Sequence, residues 1–221
     1  MELTQFAQWL NTAFADFDRA ILSFYHSLAE SAGVIFTPIS IFFARIGDLG
    51  IFCFALALVF MFFKKTRKTG IAIVFSVLIG SLFTNVTIKE LVARPRPFAM
   101  EYKEWWEFIG SPKQGEYSFP SGHVTSAMAG MTAICLTQSK KWIAPALSYA
   151  IIMGATRNYL MVHYPSDVIG GLIVGGVAGI LAVLLANLIF KALEKNNQNK
   201  ACNFLLEADV RNLKKSKSLE K

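Results

Sequence analysis

Three short stretches of this 221-residue chain carry the residue types that phosphoryl transfer needs. They run from Lys89 to Pro97 (KELVARPRP), from Pro120 to His123 (PSGH) and from Arg157 to Asp167 (RNYLMVHYPSD). Covalent transfer through a histidine requires cations for the phosphate oxygens, a nucleophilic nitrogen, a group that orients it and a proton donor for the leaving group. Two of the three histidines in the chain, His123 and His163, fall in these stretches.

Each stretch has a local logic. Six residues separate Lys89 from Arg96, and Pro95 and Pro97 cannot continue a helix, so the chain must turn there and can aim both cations at one anion. A guanidinium holds two phosphate oxygens in a fixed fork, whereas lysine is a movable point charge. Arg94 reads as a snorkelling neighbour. In the second stretch Ser121 can cap a helix and Gly122 lets a ligand approach the backbone. The first free N–H groups, with the helix dipole, favour an anion. His123 sits where it could protonate a leaving oxygen. In the third, Arg157 closes an apolar helix, His163 follows six residues later and Asp167 four after that. Pro165 disfavours helix at Tyr164, so a turn should bring His163 and Asp167 together. A carboxylate accepting the proton of one ring nitrogen leaves the other free to attack phosphorus. Each stretch also has a bland reading: snorkelling charge at a span end, an ordinary helix cap, or a structural His–Asp hydrogen bond.

The elements that must position these groups are apolar. Hydrophobic residues make up 54% of the chain and mean hydropathy is +0.44, which places it among integral membrane proteins. Runs long enough to span or nearly span are about Gly50 to Phe63, Gly70 to Val92, His123 to Gln138, Trp142 to Met161 and Val168 to Phe190. The expected fold is an all-α polytopic bundle of about five to six transmembrane helices. Residues 1–48 form an N-terminal segment, 49–192 a catalytic membrane domain and 193–221 a basic tail. Phe17 to Ala29 and Gly33 to Ile46 read as two interfacial helices on the site-side leaflet or as one span kinked at Pro38.

Charge in the connections orients the bundle. Lys64, Lys65, Arg67 and Lys68, then Lys140 and Lys141, then Arg211, Lys214, Lys215 and Lys217 fall on one side if the spans alternate. Positive-inside counting makes that side cytoplasmic and sets all three stretches on the extracytoplasmic face. The net charge of +7 is explained by this topology, and nucleic acid is not an expected partner. Met1 to Asp18 is acidic and does not read as a cleavable signal. Cys53, Cys135 and Cys202 lack zinc or redox spacing, so neither metal nor cofactor is expected. His26 reads as interfacial, and Trp105, Trp106 and Phe108 as headgroup-level residues. Gly171, Gly175 and Gly179 permit close helix packing, within the chain or in a homodimer.

Taken together, the stretches resemble the type 2 phosphatidic acid phosphatases, which share their site with bacterial acid phosphatases and vanadium haloperoxidases. The family pattern K-x6-RP, PSGH, SR-x5-H-x3-D is matched by Lys89…Arg96-Pro97, Pro120-Ser121-Gly122-His123 and Thr156-Arg157…His163…Asp167, with Thr156 in place of serine. The resemblance, over about residues 50 to 190, implies His163 as nucleophile, Asp167 as its orienting group and His123 as acid and then base. It implies Lys89, Arg96, Ser121, Gly122 and Arg157 as the phosphate cradle, without metal. A site at span ends suits a lipid phosphate, and undecaprenyl diphosphate ranks before phosphatidylglycerol phosphate or phosphatidic acid. A transporter would place ionisable groups near mid-membrane, where these runs are apolar, and a vanadate-dependent oxidase would typically be soluble.

Overall fold

The computed structural model describes residues 3–212, so Lys214, Lys215 and Lys217 lie outside the described residues. The architecture is a helix bundle. An amphipathic α1 (Gln5–Ala13) leads into the long α2 (Ala15–Gly47), and a short 3₁₀ turn, Asp48–Gly50, reverses the chain into α3 (Ile51–Met61). Helix α4 (Arg67–Ser81) runs into a π-helical stretch, Leu82–Ile88, and then α5 (Lys89–Val92). An outer loop carrying α6 (Lys103–Phe108) precedes α7 (Gly122–Thr137), α8 (Ile143–Tyr159), α9 (Pro165–Lys195) and α10 (Lys200–Glu207).

Helices α3, α7, α8 and α9, and the continuous stretch from α4 through α5, fall within a few residues of the five apolar runs. Long apolar side chains remain exposed around the bundle, among them Leu78, Ile151, Ile173, Leu184 and Leu188. Such a surface is expected of a protein solvated by lipid. By length and composition, Ala15–Met61, Arg67–Val92 and Pro165–Lys195 are candidate membrane spans. At 11 residues, α3 is only about 16 Å long at 1.5 Å per residue, so it needs flanking residues or local thinning to cross.

The two ambiguous N-terminal segments are joined in one 33-residue helix, α2. Its break lies at Ala32, where φ is −140°, and not at Pro38. The first half of α2, through Leu22 and Ala29, packs on a buried cluster with Tyr102, Tyr159, Leu160 and Tyr164. The N-terminal segment is therefore built against the site end of the bundle. Trp105 stacks on His26 at 4.5 Å and Trp106 on Phe98 at 4.5 Å, so both pack the loop that carries them, while Phe108 stays exposed.

Helices α7 and α9 approach closely. A β-carbon at Gly171 would lie 2.8 Å from the Ser121 carbonyl, one at Gly175 2.6 Å from that of Thr125, and one at Gly179 2.7 Å from that of Ala129. The glycine stripe is spent inside the chain, and it sets the depth at which the two motif-bearing helices meet. At the opposite end, Arg67 donates to the carbonyls of Leu205 and Ala208, and Lys64 pairs with Glu207, which ties the described part of the tail to the α3–α4 connection.

Gly175→Leu should therefore overpack the α7–α9 contact and cost about 1–3 kcal/mol. Gly176→Leu, with nothing among the described residues within 4 Å of its β-carbon, should leave the melting temperature in detergent unchanged. Equal losses for the two variants, read by thermal denaturation, would contradict this packing.

Candidate active site

The three stretches meet at one end of the bundle because the helices alternate in direction: α4–α5 and α8 end there, and α7 and α9 start there. The π-helical stretch before Lys89 widens the final turns and alters the face that Lys89 presents. The helix stops after Val92 through Ala93, at φ 48°, and the chain turns outward at Arg94-Pro95 as the prolines require. Ser118 N–H then donates to the Arg94 carbonyl at 2.8 Å, pinning the start of the outer loop to its end.

His163 lies in the turn between α8 and α9 and is 1% exposed. Its Nε2 is 3.3 Å from the Arg96 guanidinium. Because a guanidinium only donates, this contact requires the lone pair on Nε2 and the proton on Nδ1. Nδ1 faces Asp167 Oδ2 at 3.6 Å, close enough for charge stabilisation but longer than a hydrogen bond. The turn thus brings the pair together as expected, with looser geometry. Burial, then the cations Arg96, Arg157 and Lys89 and the nearby His123, hold the His163 pKa well below 6.5, so the ring is neutral at neutral pH. Arg96 also donates to the carbonyls of Val162 and Gly115; burial brings its pKa down to about 10, and it stays charged.

Asp167 occupies the third position of α9, where its Oδ2 accepts the Tyr164 N–H at 2.8 Å. Its own carbonyl accepts the Ser121 N–H at 3.1 Å, which joins the start of α7 to the start of α9. Ser121 sits at the N-cap of α7, but its hydroxyl makes no capping bond, and Oγ is buried without a protein partner among the described residues. The expected cap is thus replaced by a hydroxyl turned away from the first helical N–H groups, which leaves both for an anion. Gly122 packs beside Asn85, whose Oδ1 would be 3.2 Å from an added β-carbon. Arg157 is fully buried, and none of its guanidinium nitrogens has a protein partner among the described residues. A buried, unpaired guanidinium is costly unless an anion completes it.

Lys89, Arg96, Gly122, His123 and His163 line a cavity of about 590 Å³, with Arg157 on an adjoining one of about 320 Å³. Leu49, Phe54, Val77 and Leu78 form an apolar flank of the larger cavity between α3 and α4. Among the described residues no group of three or more His, Cys, Asp or Glu side chains is arranged to hold a metal ion.

Two acidic residues and one arginine have parts that motif reading missed. Asp48, in the turn after α2, bonds His123 Nε2 at 2.8 Å through Oδ1. Gly47 allows that approach, since a β-carbon there would lie 3.1 Å from His123 Cδ2. The only sequence signal was a lone carboxylate at the end of an apolar run. Arg94 is not a snorkelling neighbour. It is 1% exposed and ion-paired to Asp167 at 2.6 Å and to Asp18 at 2.9 Å, because the outer loop folds it inward under Tyr164.

Comparison with known proteins finds relatives in sequence and in fold. The chain is 35% identical over 124 residues to an undecaprenyl-diphosphatase of Sulfolobus acidocaldarius, covering 56% of this chain and 58% of that protein. It is 32% identical over 142 residues to a lipid A 1-phosphatase of Rhizobium etli, covering 58% and 60%. The chain thus spans less than two thirds of the length of these relatives. The crystal structure of Aquifex aeolicus LpxE superposes with a TM-score of 0.54 at 22% identity, over 66% of this chain and 85% of that one, which shows a shared fold. The PAP2 superfamily profile matches residues 69–191, more than half of the chain and the segment that holds all three stretches, so the chain belongs to the PAP2 superfamily.

Proposed function

We propose that this chain is an integral membrane phosphatase that removes phosphate from a lipid phosphate or diphosphate head through a phosphohistidine intermediate. The observation that carries the reading is the buried, neutral His163, whose Nε2 lone pair faces Arg96 at the wall of a cation-lined cavity. Nε2 attacks phosphorus and the bond to the leaving oxygen breaks, with His123 supplying a proton where that oxygen is an alkoxide. The cation formed on the imidazole is stabilised by Asp167. Lys89, Arg96, Arg157, Ser121 and the Gly122 N–H hold the equatorial oxygens. Water then attacks the phosphohistidine, His123 takes its proton, and the N–P bond breaks to release phosphate.

The apolar flank between α3 and α4 supports a substrate whose tail stays in the bilayer. Undecaprenyl diphosphate, cleaved to undecaprenyl phosphate, is the first candidate, supported by the similarity to an archaeal undecaprenyl-diphosphatase. A second reading is a lipid A phosphate, favoured by the similarity to the Rhizobium etli enzyme. The basic connections at the far end support an extracytoplasmic site and a cytoplasmic tail.

Purified protein should release phosphate from at least one of undecaprenyl diphosphate, lipid A, phosphatidylglycerol phosphate and phosphatidic acid, with the specificity constants ranking them. His163→Ala should lose roughly 10⁴-fold or more of that rate; substantial residual turnover would remove His163 from the nucleophile role. Since His163 must be neutral to attack and its pKa is depressed, activity should be retained above that pKa and lost as pH falls through it. The acid limb of kcat/KM should thus lie below pH 6.5, and a limb above 6.5 would contradict the assignment. For orientation, a cysteine at position 113 should react with an impermeant maleimide on intact cells and one at position 65 should not; the reverse pattern would overturn the topology.

A further inference from the structure

The family match begins at residue 69, yet the most completely bonded charged cluster in the site includes a residue from far upstream. Asp18 lies in the first turns of α2 and is buried. Its Oδ1 accepts the Ser166 N–H at 2.8 Å, and its Oδ2 accepts the Ser166 hydroxyl at 2.6 Å and Arg94 Nη2 at 2.9 Å. Arg94 in turn donates from Nη1 to Asp167 Oδ1 at 2.6 Å and to Ser166 Oγ at 2.7 Å, and from Nε to Asn11 Oδ1 at 2.8 Å. Its guanidinium carbon lies 3.9 Å from the centre of the Tyr164 ring.

This arrangement fixes both oxygens of Asp167: Oδ1 by Arg94, and Oδ2 by the Tyr164 N–H on the side that faces His163 Nδ1. Asp18 holds the two parts that do the fixing, the Arg94 fork and the Ser166 backbone in the first turn of α9. A cluster of buried charges with its hydrogen bonds filled is rigid, and removing one member leaves the others uncompensated. We propose that Asp18, acting through Arg94 and Ser166, is a positioning residue for Asp167 and hence for the His163 nucleophile, so that the N-terminal helices are part of the catalytic unit. The kinetic consequence rests on the phosphatase reading above.

The proposal predicts that Asp18→Asn and Arg94→Gln lower kcat by about 10- to 100-fold with KM nearly unchanged, as small misplacements of a catalytic group do. It further predicts non-additivity. With Asp167→Asn already present there is no carboxylate to place, so adding Asp18→Asn should cost less than about twofold more. A full, independent loss in that background would overturn the proposal, and so would an unchanged kcat in Asp18→Asn alone. Asp18→Glu should recover part of the rate, and thermal melting of each variant corrects for loss of folded protein. A readout without turnover is the ¹⁵N spectrum of histidine-labelled protein in detergent. His163 should carry its proton on Nδ1 in wild type, and the Nδ1 resonance should shift in Asp18→Asn as Asp167 moves away from it; an unaltered signal would also overturn the proposal. Wild type inactive on every lipid phosphate would defeat the phosphatase reading, while the spectrum would still decide the role of Asp18.

Discussion

The structure depends on gathering like charge where water is excluded. Lys89, Arg96 and Arg157 converge at one end of an apolar bundle, where each cation repels the others and forfeits solvation. Nearby counter-charge comes from Asp167 and Asp48, but Arg157 has no protein partner for its guanidinium among the described residues. An anion would complete such an arrangement, and in the proposed mechanism the same desolvation that costs stability becomes affinity for a phosphoryl oxygen. It also keeps His163 neutral, because a second positive charge on the ring would add to the repulsion. In the proposed mechanism, binding and nucleophile activation thus follow from one electrostatic constraint.

Holding that constraint requires rigidity, and the rigidity is shared between backbone and charge. The glycine stripe of α9 lets its backbone meet that of α7, and the Ser121 N–H to Asp167 carbonyl bond fastens the two helix starts together. Around this seam lies the second cluster of Asp18, Arg94, Ser166 and Asp167, in which two anions share one guanidinium. The two clusters are electrostatically opposite. One is cationic and open to a cavity, the other is anionic and closed, and Asp167 belongs to both.

Much of the fold was legible in the sequence because lipid solvation imposes a strong signal. A helix whose exterior faces hydrocarbon must be apolar all round, so run length alone located α3, α4, α7, α8 and α9. The site was legible because its residues cluster in short stretches with proline and glycine punctuation. Ser121 and Arg94 show where such reading stops. A serine before a helix looks like a cap whichever way its hydroxyl points. An arginine beside prolines at a span end looks like a snorkel until its partners are known. Asp18 and Asp48 carried no motif, since a single carboxylate in an apolar segment has the same local appearance whether solvated or buried. The break in α2 falls at Ala32 and not at Pro38, because packing of its first half on the outer loop, and not local propensity, sets the bend.

By itself the sequence determined the helical membrane architecture, the residues of the candidate site and the order in which the chain presents them, since hydropathy, helix termination and residue chemistry are local properties. Only the tertiary structure decided which nitrogen of His163 carries the lone pair, that Arg94 faces inward, and that Asp18 and Asp48 join the site. Those outcomes depend on contacts across separations of 67, 73, 76 and 75 residues, and direction and burial at such distances are set by packing and not by the identity of neighbours along the chain.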